Sequence, residues 1–152
     1  MFTRHTVLRT ALAAGLVATA LVGCGQLRPA NKMDIYEAVL SGSQEVPPAN
    51  SSGGGNAEVM LNKNTNTLRW KVTYSNLTGA ATAGHIHGPA PVGANAGVVV
   101  PFGGNLNAQP ITGEAQITAE QAVALAAGQW YVNIHTAQFP GGEIRGQLVP
   151  RR

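Results

Sequence analysis

Cysteine is all but missing from this chain. One residue in 152, Cys24, carries a thiol. That excludes an internal disulfide and leaves the fold to be held by its own core. Charge is scarce too, at 11% of residues, with ten basic side chains against seven acidic. Arg4 and Arg9 lie in the leading segment and Arg151 and Arg152 close the chain. No basic patch remains of the kind nucleic-acid binding requires. The apolar stretch Ala11–Val22 is shorter than the roughly 20 residues that cross a bilayer. No Ser-His-acid set stands out. Gly53-Gly54-Gly55 leads into a strand pattern rather than a helix, so it lacks the geometry that cradles a phosphate. What is plentiful is glycine and proline, 19 and 9 residues. That composition fits a β-rich, turn-rich domain better than a helical one.

The first residues read as a leader. Two arginines precede the apolar run, which ends in Leu21-Val22-Gly23-Cys24. Apolar, small, small, cysteine resembles the lipobox of bacterial lipoprotein signal peptides. The resemblance implies removal of residues 1–23, lipidation of Cys24 and anchoring to a membrane in the cell envelope. Gly25 rather than aspartate follows the cysteine, which speaks against retention at an inner membrane. The expected location is the outer membrane, or a periplasm-facing leaflet in a Gram-negative cell. Residues 24–33 are polar, include Pro29 and read as a tether. Residues 34–150 then form one domain.

Within that domain the strand signal is strong. Leu68, Trp70, Val72 and Tyr74 alternate with Arg69, Lys71 and Thr73, the period-two pattern of a half-buried strand. Similar runs occupy 35–40, 56–61, 81–87, 98–100, 111–117, 129–135 and 143–149. Val98-Val99-Val100 reads as buried throughout, being apolar and β-branched. One helix is expected after Thr118, with Gln121 completing a capping box and Gly128 ending it. About eight short strands with one short helix inserted late predict an all-β, antiparallel sandwich or barrel.

The chemistry is concentrated in histidine. Gly84-His85-Ile86-His87-Gly88 puts two imidazoles on one face of a strand and Ile86 on the other. Tyr131-Val132-Asn133-Ile134-His135 repeats the arrangement, with Tyr131, Asn133 and His135 sharing a face. If Ile86, Val132 and Ile134 face the core, His85, His87 and His135 all face away from it. A His-x-His strand with a third imidazole alongside can hold one transition ion, since neutral imidazole suits copper, zinc and nickel. Copper is expected first and zinc second, because an exported lipoprotein is well placed to buffer copper. Glu143, Asn133, Tyr131 and Glu45 are candidates for a fourth ligand or for a partner behind the ligands. The alternative is structural: the imidazoles hold turns by hydrogen bonding. Glu143 and Arg145 share a face and are expected to pair across the last strand. No catalytic residue is assigned.

Four segments resemble the bacterial CHRD domain, named after the animal protein chordin. They are 38–48 (Ala-Val-Leu-Ser-Gly-Ser-Gln-Glu-Val-Pro-Pro), 84–90 (Gly-His-Ile-His-Gly-Pro-Ala), 125–136 (Leu-Ala-Ala-Gly-Gln-Trp-Tyr-Val-Asn-Ile-His-Thr) and 139–148 (Phe-Pro-Gly-Gly-Glu-Ile-Arg-Gly-Gln-Leu). They lie in order over about residues 34–150. The resemblance implies an immunoglobulin-like β-sandwich, and it carries a fold more firmly than an activity. The His-x-His strand is also similar to the copper-binding strand of copper,zinc superoxide dismutases. The extra histidines, the aspartate and the second cysteine of that family are missing, so any site here is mononuclear. Three functions follow as expectations: an anchored metal-binding protein, an envelope module that docks another protein, and a mononuclear copper oxidoreductase.

Overall fold

The computed structural model describes Met1 and residues 33–151. The leader, Cys24 and most of the tether lie outside the described residues. The order of elements is β1 (Met33–Ser41), β2 (Gly54–Asn62), β3 (Thr67–Ser75), β4 (Ala81–His87), β5 (Val98–Pro101), β6 (Ile111–Gln116), α1 (Ala119–Ala126), β7 (Tyr131–Thr136), β8 (Ile144–Gln147) and β9 (Val149–Pro150). All pairings among them are antiparallel.

One continuous sheet runs β5-β4-β7-β8-β1-β2-β3-β6, with β9 also on β1. Its two halves fold over a shared core, giving the all-β, sandwich-like architecture expected. β1 joins the halves: it pairs with β2 along nine residues and meets β8 at Ser41 opposite Arg145. The far ends approach each other, so the sheet nearly closes. Trp70 on β3 stacks on Phe102, just after β5, with ring centroids 5.3 Å apart. Tyr74 donates its hydroxyl to the Leu106 carbonyl at 2.9 Å. The alternating side chains of β3 are sorted as their period requires, with Leu68, Trp70 and Val72 buried beside Val59, Leu61 and Ile111.

The helix has the expected caps. Thr118 accepts from the Gln121 backbone, and the Gln121 side chain accepts from the Thr118 N–H. Gly128 follows with φ +70°, a left-handed conformation that favours glycine. Leu125 is fully buried and ties the helix to the core. Two expectations need correction. Val98 is half exposed and only Val100 is buried. β5 is an edge strand, and its register with β4 is irregular between Ile86 and His87, opposite Val100 and Val98, so the simple alternation that would bury both is broken. The last strand also divides at Leu148, whose side chain is fully buried and whose N–H bonds to the Trp130 carbonyl at 2.9 Å.

Close packing beside Trp70 makes one glycine a test of this arrangement. Gly113 lies opposite Trp70 across β3 and β6, and a Cβ there would meet the indole ring. Gly113→Ala is expected to cost about 1–3 kcal/mol by overpacking. Urea unfolding should show a lower midpoint with an unchanged slope; no loss would mean that the indole is free to shift.

Candidate metal centre

The pairing of β4 with β7 assembles the histidines. In its register Gly84 lies opposite Ile134, His85 opposite Asn133, Ile86 opposite Val132 and His87 opposite Tyr131. Ile86, Val132 and Ile134 are fully buried in the core, so the pleat sends the other set to the far face. His135 lies opposite Ala83, whose small side chain leaves room for the imidazole. His85 and His135 then meet diagonally, the ordinary reach of long side chains on one face of a sheet.

That far face is not open to water. His87 and His135 are each only 8% exposed, and His85 is partly exposed. The polar face lies under the loops that carry Ala94–Ala96 and Pro140. The three imidazoles converge. His85 Nδ1 lies 3.0 Å from His135 Nε2, and one donor atom from each of the three lies within 4.8 Å of the others. Metal–nitrogen bonds near 2 Å allow at most about 4 Å between donors. The closest pair already satisfies that limit, and the set as a whole needs to contract slightly.

The hydrogen bonds decide which nitrogens face inward. A carbonyl only accepts, so His87 Nδ1 donates to Ala96 O at 3.0 Å and His135 Nδ1 donates to Pro140 O at 2.9 Å. With one proton per neutral ring, both Nε2 atoms carry lone pairs. Both point to the same place, and each lies 3.0 Å from Asn133 Oδ1, another acceptor. Acceptors facing acceptors need a donor hydrogen or a positive centre between them. A proton on His85 Nδ1 supplies one for His135; a metal ion would serve them all. Turning the Asn133 amide, so that its NH₂ faces the two nitrogens, is the metal-free alternative. Burial holds the pKa values of His85 and His135 below the ordinary imidazole value. The neighbouring imidazoles push the same way, against the Pro140 bond at His135. Burial therefore favours the neutral form of both rings, the form a ligand needs.

The other sequence candidates divide. Asn133 is brought to the centre. Tyr131 contributes its ring rather than its hydroxyl. It stacks on His87 with centroids 4.8 Å apart and 3° between planes, while its oxygen accepts from the Ala96 N–H. Glu143 is corrected on two counts. Its carboxylate accepts from Ser51 Oγ, Thr136 Oγ1 and the backbone and hydroxyl of Thr78, at 2.6–2.7 Å. It therefore neither joins the imidazoles nor pairs with Arg145. Burial raises its pKa, but those donors outweigh the burial and hold it below the usual range. Arg145 instead is buried flat over Tyr131, its guanidinium carbon 3.4 Å from the ring centroid, donating to Asn95 Oδ1 and Ala94 O. Alternation placed Arg145 on the right face; that loops would cover it was not visible in a strand pattern. The anchoring carbonyls of Ala96 and Pro140 have no signal in residue type at all.

Glu45 also falls outside the group of converging donors. It is buried against Gly142, whose φ of +132° and missing Cβ make room for the carboxyl. Burial pushes its pKa up to about 7, against the pull of Arg145 and of the Val46 N–H, and its Oε1 has no hydrogen-bond partner.

A three-histidine cluster built on the covered face of an antiparallel sandwich defines the class of protein: a β-domain whose described residues bring together one group of side chains that could hold a metal ion. Its sequence matches the CHRD domain over residues 36–148, and the chain belongs to that family. No curated protein and no solved structure matches it.

The buried Glu45 carboxyl predicts a pH dependence. Its native pKa lies above the ordinary 4.5, so the folded state holds the proton more tightly than the unfolded one. Its contribution is fully present below about pH 4.5 and is lost as pH rises to about 7, by up to about 3 kcal/mol. Glu45→Gln should therefore gain stability over the parent at pH 8 and little at pH 4. Equal differences at both pH values, from chemical denaturation, would contradict the assignment.

Proposed function

We propose that this CHRD-domain protein is a lipid-anchored, extracytoplasmic binding protein that holds one metal ion through His85, His87 and His135. One observation carries the proposal: two Nε2 lone pairs, fixed by backbone carbonyls, converge beside His85 Nδ1. Carbonyls behind the ligands are how proteins set the tautomer and orientation of metal-binding histidines. The donor set fits the group. Three neutral imidazoles suit copper or zinc, and copper is favoured for a protein held at the envelope. Asn133 would be a fourth ligand or would steady the ring nitrogens. The partly exposed His85 is the side from which an ion would enter. The leader and Cys24 support attachment to a membrane through lipid, with the domain outside the cytoplasm. The protein's work would then be sequestration or delivery of metal, with no reaction of its own.

A second reading has its own support. Every imidazole already has a hydrogen-bond partner, and a turned Asn133 amide would satisfy the two inward nitrogens without an ion. On that reading the histidines hold the loops of an envelope module that docks another protein.

Titration of the full chain with copper or zinc, followed by competition with a chromophoric chelator, separates the two. A metal protein should bind one equivalent, and His85→Ala with His87→Ala should weaken binding at least about 100-fold. Unchanged affinity in the double variant would leave only the structural role. Metal held at 100 times its dissociation constant should also stabilise the fold by about 2.7 kcal/mol, read as a rise in melting temperature that the double variant lacks.

A further inference from the structure

The charge around the imidazoles says which ion they prefer. No inward donor carries a negative charge: three imidazoles and one amide converge. Among the described residues no carboxylate joins them, since the one group of converging ligand side chains consists of His85, His87 and His135 alone. Glu143 is occupied by hydroxyls and a backbone N–H, and Glu45 lies against Gly142. The nearest fixed charge along the stack is positive. Arg145 is 2% exposed and lies over Tyr131, which lies parallel on His87. Arg145 makes no ion pair within 4 Å among the described residues, and Glu45, the carboxyl that feels its charge, offsets it only from beyond that distance.

A buried cation with no anion in direct contact penalises each further positive charge placed nearby. At roughly 8 Å and an effective dielectric near 20, each extra unit charge shifts the binding equilibrium on the order of tenfold or more. A divalent ion bears that penalty twice, and a monovalent ion once.

We infer that the three-histidine centre takes a monovalent soft cation, Cu(I) or Ag(I), in preference to a divalent ion, because Arg145 stacked behind His87 through Tyr131 biases it against higher charge. The selectivity rests on the metal-binding function proposed above, whose failure has a different signature. Arg145 touches no ligand atom; it is a positioning residue that acts through a ring.

The test is anaerobic competition on the full chain, with Cu(I), Ag(I), Zn(II) and Ni(II) each measured alone. Monovalent ions should bind at least tenfold more tightly than zinc or nickel. Divalent ions binding as tightly or more tightly would overturn the selectivity and leave the metal site standing; no binding by any of the four would overturn both. The copper couple gives an independent readout. Arg145→Met should favour Cu(II) over Cu(I) by about tenfold, lowering the midpoint potential by about 60 mV, while Arg145→Lys keeps the parent value. A potential unmoved in Arg145→Met would remove Arg145 from the explanation. Should that variant not fold, the selectivity of the parent chain still decides. Asn133→Asp, which adds the missing negative charge beside the ring nitrogens, should shift preference toward zinc; an unshifted preference would count against charge as the cause.

Discussion

Ile86, Val132 and Ile134 are driven out of water, and the pleat of paired strands does the rest. Once these three enter the core, the residues between them have one place to go. His85, His87, Asn133 and His135 are delivered to the opposite face at the spacing of neighbouring strands. A slip of one residue in either strand would bury imidazoles in the hydrocarbon interior and expose the aliphatic side chains. Burial of three such side chains is worth several kcal/mol, at about 1.5–3 kcal/mol each. The core therefore enforces the site, and the histidines need contribute nothing to their own placement.

The second layer of order is polar. The outer face of β4, β7 and β8 carries imidazoles, a phenol ring, an amide and a guanidinium, and most of them are buried. Such groups are costly away from water unless each is hydrogen-bonded. Loop carbonyls at Ala94, Ala96 and Pro140 satisfy Arg145, His87 and His135. The loops are thus tied to the sheet by the same bonds that orient the rings. A covering of this kind lowers the local dielectric, which strengthens the influence of each fixed charge on the centre. The bonds that hold the loops also orient the rings, and this is why a structural role for the histidines and the proposed metal-binding one predict the same contacts in the metal-free chain.

The two carboxylates show how environment divides one chemistry into two roles. Glu143 collects four donors and is held ionised below its ordinary range. Glu45 has an oxygen with no partner and is pushed up to about 7. Neither had a distinguishing mark as a residue type. Expectation placed Glu143 beside Arg145 because alternation along a strand gave them a common face. The chain departs from that pattern at Gly142 and meets Thr78, Thr136 and Ser51 instead, residues far apart in sequence.

Residue order alone determined the strands, the capped helix between Thr118 and Gly128, and the common face of the three histidines, because alternation and capping are local and recur at fixed intervals. Membership of the CHRD family was equally legible, since its motifs are contiguous. Which loops cover the imidazoles, which nitrogen of each ring points inward, and what stands behind His87 were decided only by the tertiary structure. Those features depend on backbone carbonyls and on side chains brought together from distant segments, and no periodicity encodes them. The burial of Arg145 is the clearest case: its neighbours Ala94, Asn95 and Tyr131 come from two other parts of the chain. A cation reads as solvent-facing until such partners enclose it.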